Sequence, residues 1–78
     1  MQYRLRARVV DEIYPDQLTS REVHVLKLVT AGLTNREIAD RLGLSSRTVD
    51  AHLRSIYGKI AVGSRSAATR YAVEHGLV

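Results

Sequence analysis

The sequence predicts an all-α fold, a compact domain of four helices, and three observations carry that reading. Four stretches open on a side chain suited to capping a helix N-terminus. Glycine follows the first three of them where a helix should stop. No alternation of period two with β-branched residues lasts beyond a few positions, so strands have no foothold.

Each helix start rests on its own chemistry. Thr19-Ser20-Arg21-Glu22 fits the capping box, in which Thr19 accepts from a first-turn amide and Glu22 reaches back. Thr34-Asn35-Arg36-Glu37 repeats that pattern. Ser45 precedes Ser46-Arg47-Thr48 and Ser64 precedes Arg65-Ser66-Ala67, and both serines are good N-caps. Gly32, Gly43 and Gly63 stand where helices end in a left-handed residue. The expected helices are about 20–31, 35–42, 46–61 and 65–75. Residues 1–17 differ. Tyr3, Leu5, Val9, Val10, Ile13 and Tyr14 offer some apolar surface, but Pro15 breaks the chain before the first cap. This stretch reads as an N-terminal linker or tail, or as a short extra helix, with a linker from an upstream domain favoured; the domain proper is 18–78.

Composition narrows the function classes. The 78 residues make one domain with one modest core. There is no Cys, hence no disulfide framework and no Cys-based zinc site. His24, His52 and His75 are far apart and lack partners at metal-ligand spacing, so no metal or cofactor is expected. The sequence holds no membrane-length apolar run and no signal-peptide core, which gives a cytoplasmic expectation with no membrane partner. No glycine-rich phosphate loop and no nucleophile–base pair is present, so an enzyme, or a small-molecule site in this domain, is not expected.

Charge points to a polyanion. Twelve Lys and Arg face eight Asp and Glu, for a net charge of +4 and a pI near 10.0. The excess gathers late in the chain, where Arg47, Arg54, Lys59, Arg65 and Arg70 oppose only Asp50 and Glu74. A merely solvated surface has the same composition, so placement must decide.

The second and third helices supply that placement. Ala39, then Gly43 four residues on, then Val49 six residues after that give a small contact residue, a turn residue tolerant of positive φ and a β-branched plug. Two short helices meeting at a steep angle need those types, and Ile38, Leu42 and Leu44 complete the seam: a helix-turn-helix. On the third helix Val49, Leu53, Ile56 and Ile60 share one apolar stripe at 100° per residue. Opposite lie Arg47, Ala51, Arg54 and Gly58, two arginines among the smallest side chains, a profile that fits a major groove. Arg54 matches guanine O6 and N7. Asp50 either accepts from cytosine N4, repels phosphate, or serves the helix dipole. His52 and Lys59 lie on the flank where a phosphate strand would run, although His52 fits a half-buried neutral ring equally well. Tyr57 and Tyr71 read as core-edge aromatics.

Leu18-Thr19-Ser20-Arg21-Glu22, Val25-Leu26, Gly32 to Ala39, Leu42-Gly43-Leu44-Ser45, Thr48-Val49, His52-Leu53, Ile56-Tyr57, Lys59-Ile60 and Arg65 together resemble the LuxR-type (GerE-like) helix-turn-helix domain, without a gap from Leu18 to Val78. The resemblance implies a four-helix DNA-binding domain of a bacterial transcriptional regulator, often a response regulator, with the third helix in the major groove and the fourth dimerising. It places base reading on Asp50, Ala51 and Arg54, and backbone contacts on Arg47, Thr48, His52 and Lys59. Many relatives carry Lys or another polar residue at the position of Asp50. The usual Leu-Gly before the last linker is here Ile60-Ala61, and Gly58 one turn earlier should let the helix end fray or bend.

On the fourth helix Ala67, Ala68, Tyr71 and Ala72 form a face of mostly small residues, suited either to a dimer partner or to the domain's own core. The partners expected are a double-stranded DNA operator and a second copy of the chain on that DNA, with RNA polymerase as a further candidate. The competing readings are a sigma-factor-like promoter-binding domain and a helical protein-interaction module.

Overall fold

The computed structural model describes residues 14–78. A 3-10 turn at Pro15–Gln17 leads into four helices: α1, Ser20–Thr30; α2, Asn35–Leu42; α3, Ser46–Ile60; and α4, Arg65–Glu74. Among the described residues there is no strand.

The caps form as their chemistry requires. Thr19 accepts from the Glu22 N–H at 3.1 Å while Glu22 Oε1 accepts from the Thr19 N–H at 2.9 Å. Thr34 and Glu37 make the same reciprocal pair at 3.1 and 2.8 Å. Ser45 and Ser64 accept from Thr48 and Ala67, each at 3.1 Å. These bonds satisfy first-turn donors that have no partner within the helix.

The stops follow the expectation at Gly32, with φ 92°, and at Gly43, and depart from it at Gly63. Gly43 caps α2 with φ 69°, a conformation that costs a glycine little, and so makes the tight turn into α3. Gly63 does not take the left-handed conformation. Ala61 does, at φ 59° and ψ 47°, as the residue that ends α3. Gly58 neither frays nor breaks this helix, which continues to Ile60. Ile60 is buried, and its side chain anchors the last turn across the glycine.

The core gathers one stripe from each helix. Leu26, Val25, Ile38, Val49 and Ile56 are its largest wholly buried side chains, drawn from α1, α2 and α3. Leu53 and Ile60 extend the α3 stripe, and Ala68, Tyr71 and Ala72 bring α4 against α1. Ala39 is buried between α2 and α3, where a larger side chain would force them apart.

Residues before the expected boundary at Leu18 also belong to the fold. Tyr14 packs on the core, and Asp16 and Gln17 hold left-handed backbones at φ 55° and 61°. The Asp16 carboxylate accepts from the Tyr71 hydroxyl at 2.6 Å, and the Gln17 carbonyl accepts from Lys59 Nζ at 3.2 Å. Those tethers offset the backbone cost of two non-glycine residues in that region. The linker expected at 1–17 otherwise falls on residues 1–13, outside the described residues.

Candidate nucleic-acid interface

The two sides of α3 are chemically opposite. Val49, Leu53, Ile56 and Ile60 face inward and are all buried. Arg47, Asp50, Ala51, Arg54 and Gly58 are exposed, and Thr48 and His52 are half-buried at the edges. Arg47 and Arg54 have no ion-pair partner among the described residues. The helix-turn-helix thus presents two uncommitted guanidinium groups beside two residues too small to block an approaching surface.

Asp50 is not free in the same way. Its Oδ1 accepts from Asn35 Nδ2 at 2.6 Å. Asn35 Oδ1 in turn accepts from an Arg65 guanidinium nitrogen at 2.7 Å, and the second Arg65 nitrogen donates to the Leu33 carbonyl. The first residues of α2 and α4 are thereby joined to the outward face of α3. They border a shallow cleft of about 430 Å³ lined by Asn35, Asp50, Leu53, Arg54, Tyr57 and Arg65. The Tyr57 hydroxyl is buried and has no hydrogen-bond partner among the described residues. Sequence reasoning missed Asn35 and Arg65 as members of this surface. Asn35 read only as part of a capping box, and nothing in the spacing links positions 30 residues apart.

Lys59 departs further from its sequence reading as a DNA-backbone contact. Its ammonium donates to Glu22 Oε1 at 2.7 Å as well as to the Gln17 carbonyl, and its side chain is 32% exposed. Glu22 is the buried charge of the core at 5% exposure, and its Oε2 accepts from Ser55 Oγ at 2.9 Å. Burial pushes the Glu22 carboxyl up. Hydrogen bonds from Lys59, the Thr19 amide and Ser55, with the Lys59 charge, outweigh that and hold it at about 2. The capping box accounted for one oxygen of Glu22; its pairing across 37 residues left no local signal. Thr48 also has a structural partner, since its hydroxyl lies 2.9 Å from Ser45 Oγ.

The α4 face that the sequence left open between partner and core goes to the core for three of its four residues. Ala68 and Ala72 are wholly buried and Tyr71 is 8% exposed, because their spacing puts them on the one stripe that faces α1. Burial pushes the Tyr71 phenol up, and the Asp16 carboxylate that accepts its hydrogen bond adds to this, raising it to about 12. The ring stacks on His75 with centroids 3.9 Å apart. Ala67 is half-exposed, beside exposed Ser66, Arg70, Val73 and Glu74. No cluster of metal-ligating side chains occurs among the described residues, and no helix there is long and apolar enough to cross a membrane.

Comparison with known proteins agrees with this architecture. The family described as bacterial regulatory proteins, luxR family, matches residues 16–72. The transcriptional regulatory protein MctR of Rhizobium johnstonii is 40% identical over 63 residues, 81% of this chain and 29% of that protein. Transcriptional regulatory protein ComA of Bacillus subtilis is 46% identical over 63 residues, with the same two coverages. Response regulator protein VraR of Staphylococcus aureus is 36% identical over all 78 residues, which are 36% of its own length. The crystal structure of the response regulator ChrA, from a heme-sensing two-component system, superposes with a TM-score of 0.75 at 36% identity. That match covers 95% of this chain and 36% of ChrA. The chain spans about a third of the length of the relatives it matches. By its sequence and its fold, the chain belongs to the LuxR family of bacterial regulatory proteins, as a DNA-binding regulator domain.

Proposed function

We propose that the chain is the sequence-specific, double-stranded-DNA-binding effector domain of a cytoplasmic bacterial transcriptional regulator, with α3 lying in the major groove. The observation that carries this reading is the outward arc of α3, where Arg47 and Arg54 stand exposed and unpaired beside Ala51 and Gly58. An arc of small residues lets the helix backbone approach base edges, and a free guanidinium matches guanine O6 and N7. Asp50, Ala51 and Arg54 face the bases in this arrangement. Arg47, Thr48 and His52 border the phosphates, with Lys59 at the margin, already occupied by Glu22.

The domain works as a homodimer on DNA through the part of α4 that its own core leaves free, namely Ala67, Arg70 and Val73. Val73 is 60% exposed, the largest such value among the exposed large hydrophobics. A strip this narrow is far short of the roughly 800 Å² per partner of a standard stable interface, so the pair forms on DNA and not in free solution. Response regulators of about three times this length support reading the chain as one part of a longer regulator.

Selection of binding sites from a random duplex library tests the reading. The expected product is a pair of half-sites about one helical turn apart, as two-headed docking in successive major grooves requires. No enrichment, together with no electrophoretic shift at low salt, would refute DNA reading and favour a protein-interaction module.

A further inference from the structure

We propose that Asn35 and Arg65 are positioning residues for base recognition, forming a relay from α4 through α2 that aims the carboxylate of Asp50 at an exocyclic amino group in the major groove. This rests on the reading of α3 as the recognition helix.

The relay has one possible direction. Arg65 can only donate and an ionised Asp50 can only accept, so the Asn35 amide is oriented without ambiguity, its oxygen toward Arg65 and its nitrogen toward Asp50. Arg65 is itself fixed by its second bond, to the Leu33 carbonyl. The chain of donors is therefore anchored at the backbone and ends on Asp50 Oδ1, leaving Oδ2 available. A carboxylate oxygen in the major groove accepts from cytosine N4 and is repelled by guanine O6 and N7 and by thymine O4. Adenine N6 is a donor too, but its neighbour N7 is an acceptor, so cytosine is the preferred partner.

The latch also settles a competition on α3. Arg54 is four residues beyond Asp50 on the same face, a spacing at which the two side chains would otherwise pair. With Asp50 held by Asn35, no such ion pair forms. Arg54 keeps its donors for DNA, and two adjacent base contacts of opposite polarity coexist.

The test compares selected sites for the 78-residue chain with those for Asp50→Ala, Asn35→Asp and the double variant. Asn35→Asp retains an acceptor for Arg65 but replaces the donor facing Asp50 by a second carboxylate. An acidic residue in the first turn of α2 suits the helix dipole, so folding should survive; a thermal melt checks this, and Arg65→Lys replaces it if the melt is lost. Asp50→Ala should reduce cytosine preference at one position per half-site by roughly tenfold. Asn35→Asp should reduce it at that same position and no other, and should add nothing to Asp50→Ala there. If Asp50→Ala flattens a position that Asn35→Asp leaves intact, the relay is overturned and base reading stands. A loss spread evenly over all positions would mark Asn35 as merely structural and also overturn it. If Asp50→Ala moves no position, base reading by Asp50 fails and the relay with it.

Discussion

Replacing Glu22 with Gln keeps the shape of a buried side chain and removes its charge. In the parent that charge is held by three donors, Lys59 Nζ at 2.7 Å and the Thr19 amide and Ser55 hydroxyl at 2.9 Å each. The carboxyl stands at about 2 in the folded domain against 4.5 ordinarily. A folded value below the unfolded one means stability that is complete above pH 5 and lost as pH falls toward 2. At 1.36 kcal/mol per pH unit the carboxylate contributes about 3 kcal/mol at neutral pH and about 1.4 kcal/mol at pH 3. Total stability for a domain of this size is on the order of 4–12 kcal/mol, so the loss is large. Urea unfolding followed by helical circular dichroism at pH 7 and pH 3 measures it. Glu22→Gln should be less stable by about 2–3 kcal/mol at pH 7, with the gap at least halved at pH 3. An equal gap at both pH values would refute the argument, because the group removed would then not be the one that titrates.

Other perturbations separate recognition from folding. Arg54→Ala should cost about 1–3 kcal/mol on a selected site and relax base preference at one position, measured by titration against single-base variants of that site. Arg47→Ala should weaken binding to every sequence and lower the slope of log K against log salt by about one, with thermal stability unchanged. Lys59→Ala should instead lower thermal stability, since it leaves the buried Glu22 charge without its cation. Ala61→Gly relieves a left-handed alanine and should stabilise the domain by about 0.5–1 kcal/mol, read as a rise of a few degrees in melting temperature. Tyr71→Phe should abolish the loss of stability that the parent shows as pH rises from 10 toward 12, because the raised phenol stabilises the fold only while protonated.

The fold was legible because its determinants are local. A capping box spans four residues and a helical stripe repeats every three or four, so Thr19, Thr34, Ser45 and Ser64, and the row from Val49 to Ile60, could be read directly from the chain. The misplacement at Gly63 has a physical source. Composition names the residue that most easily turns left-handed, but the buried position of Ile60 fixes where α3 ends, and Ala61 must then turn. The exposed arc of α3 followed from the same periodicity. What periodicity could not reveal were pairings of residues far apart in sequence. Lys59 with Glu22, Asn35 with Asp50 and Arg65, and Asp16 with Tyr71 depend on how helices are juxtaposed. The small residues of α4 illustrate the limit, since Ala68 and Ala72 suit a partner helix and an internal helix equally, and only the packing against α1 assigns them.

The turn at Pro15–Gln17 changes the arithmetic of reach. Its two fastenings, to Tyr71 on α4 and to Lys59 on α3, extend the rigid head from Leu18 back to Tyr14. Four residues that would have served as slack become part of the rigid head. Fully extended, they would have spanned up to about 14 Å. Successive major grooves on one face of the duplex lie about 34 Å apart, so that is a substantial fraction of the span two joined heads must cover. If two such heads are joined as proposed, four residues less of slack would narrow the range of half-site spacings the pair can straddle, and would raise the local concentration of the second head at the spacings that remain.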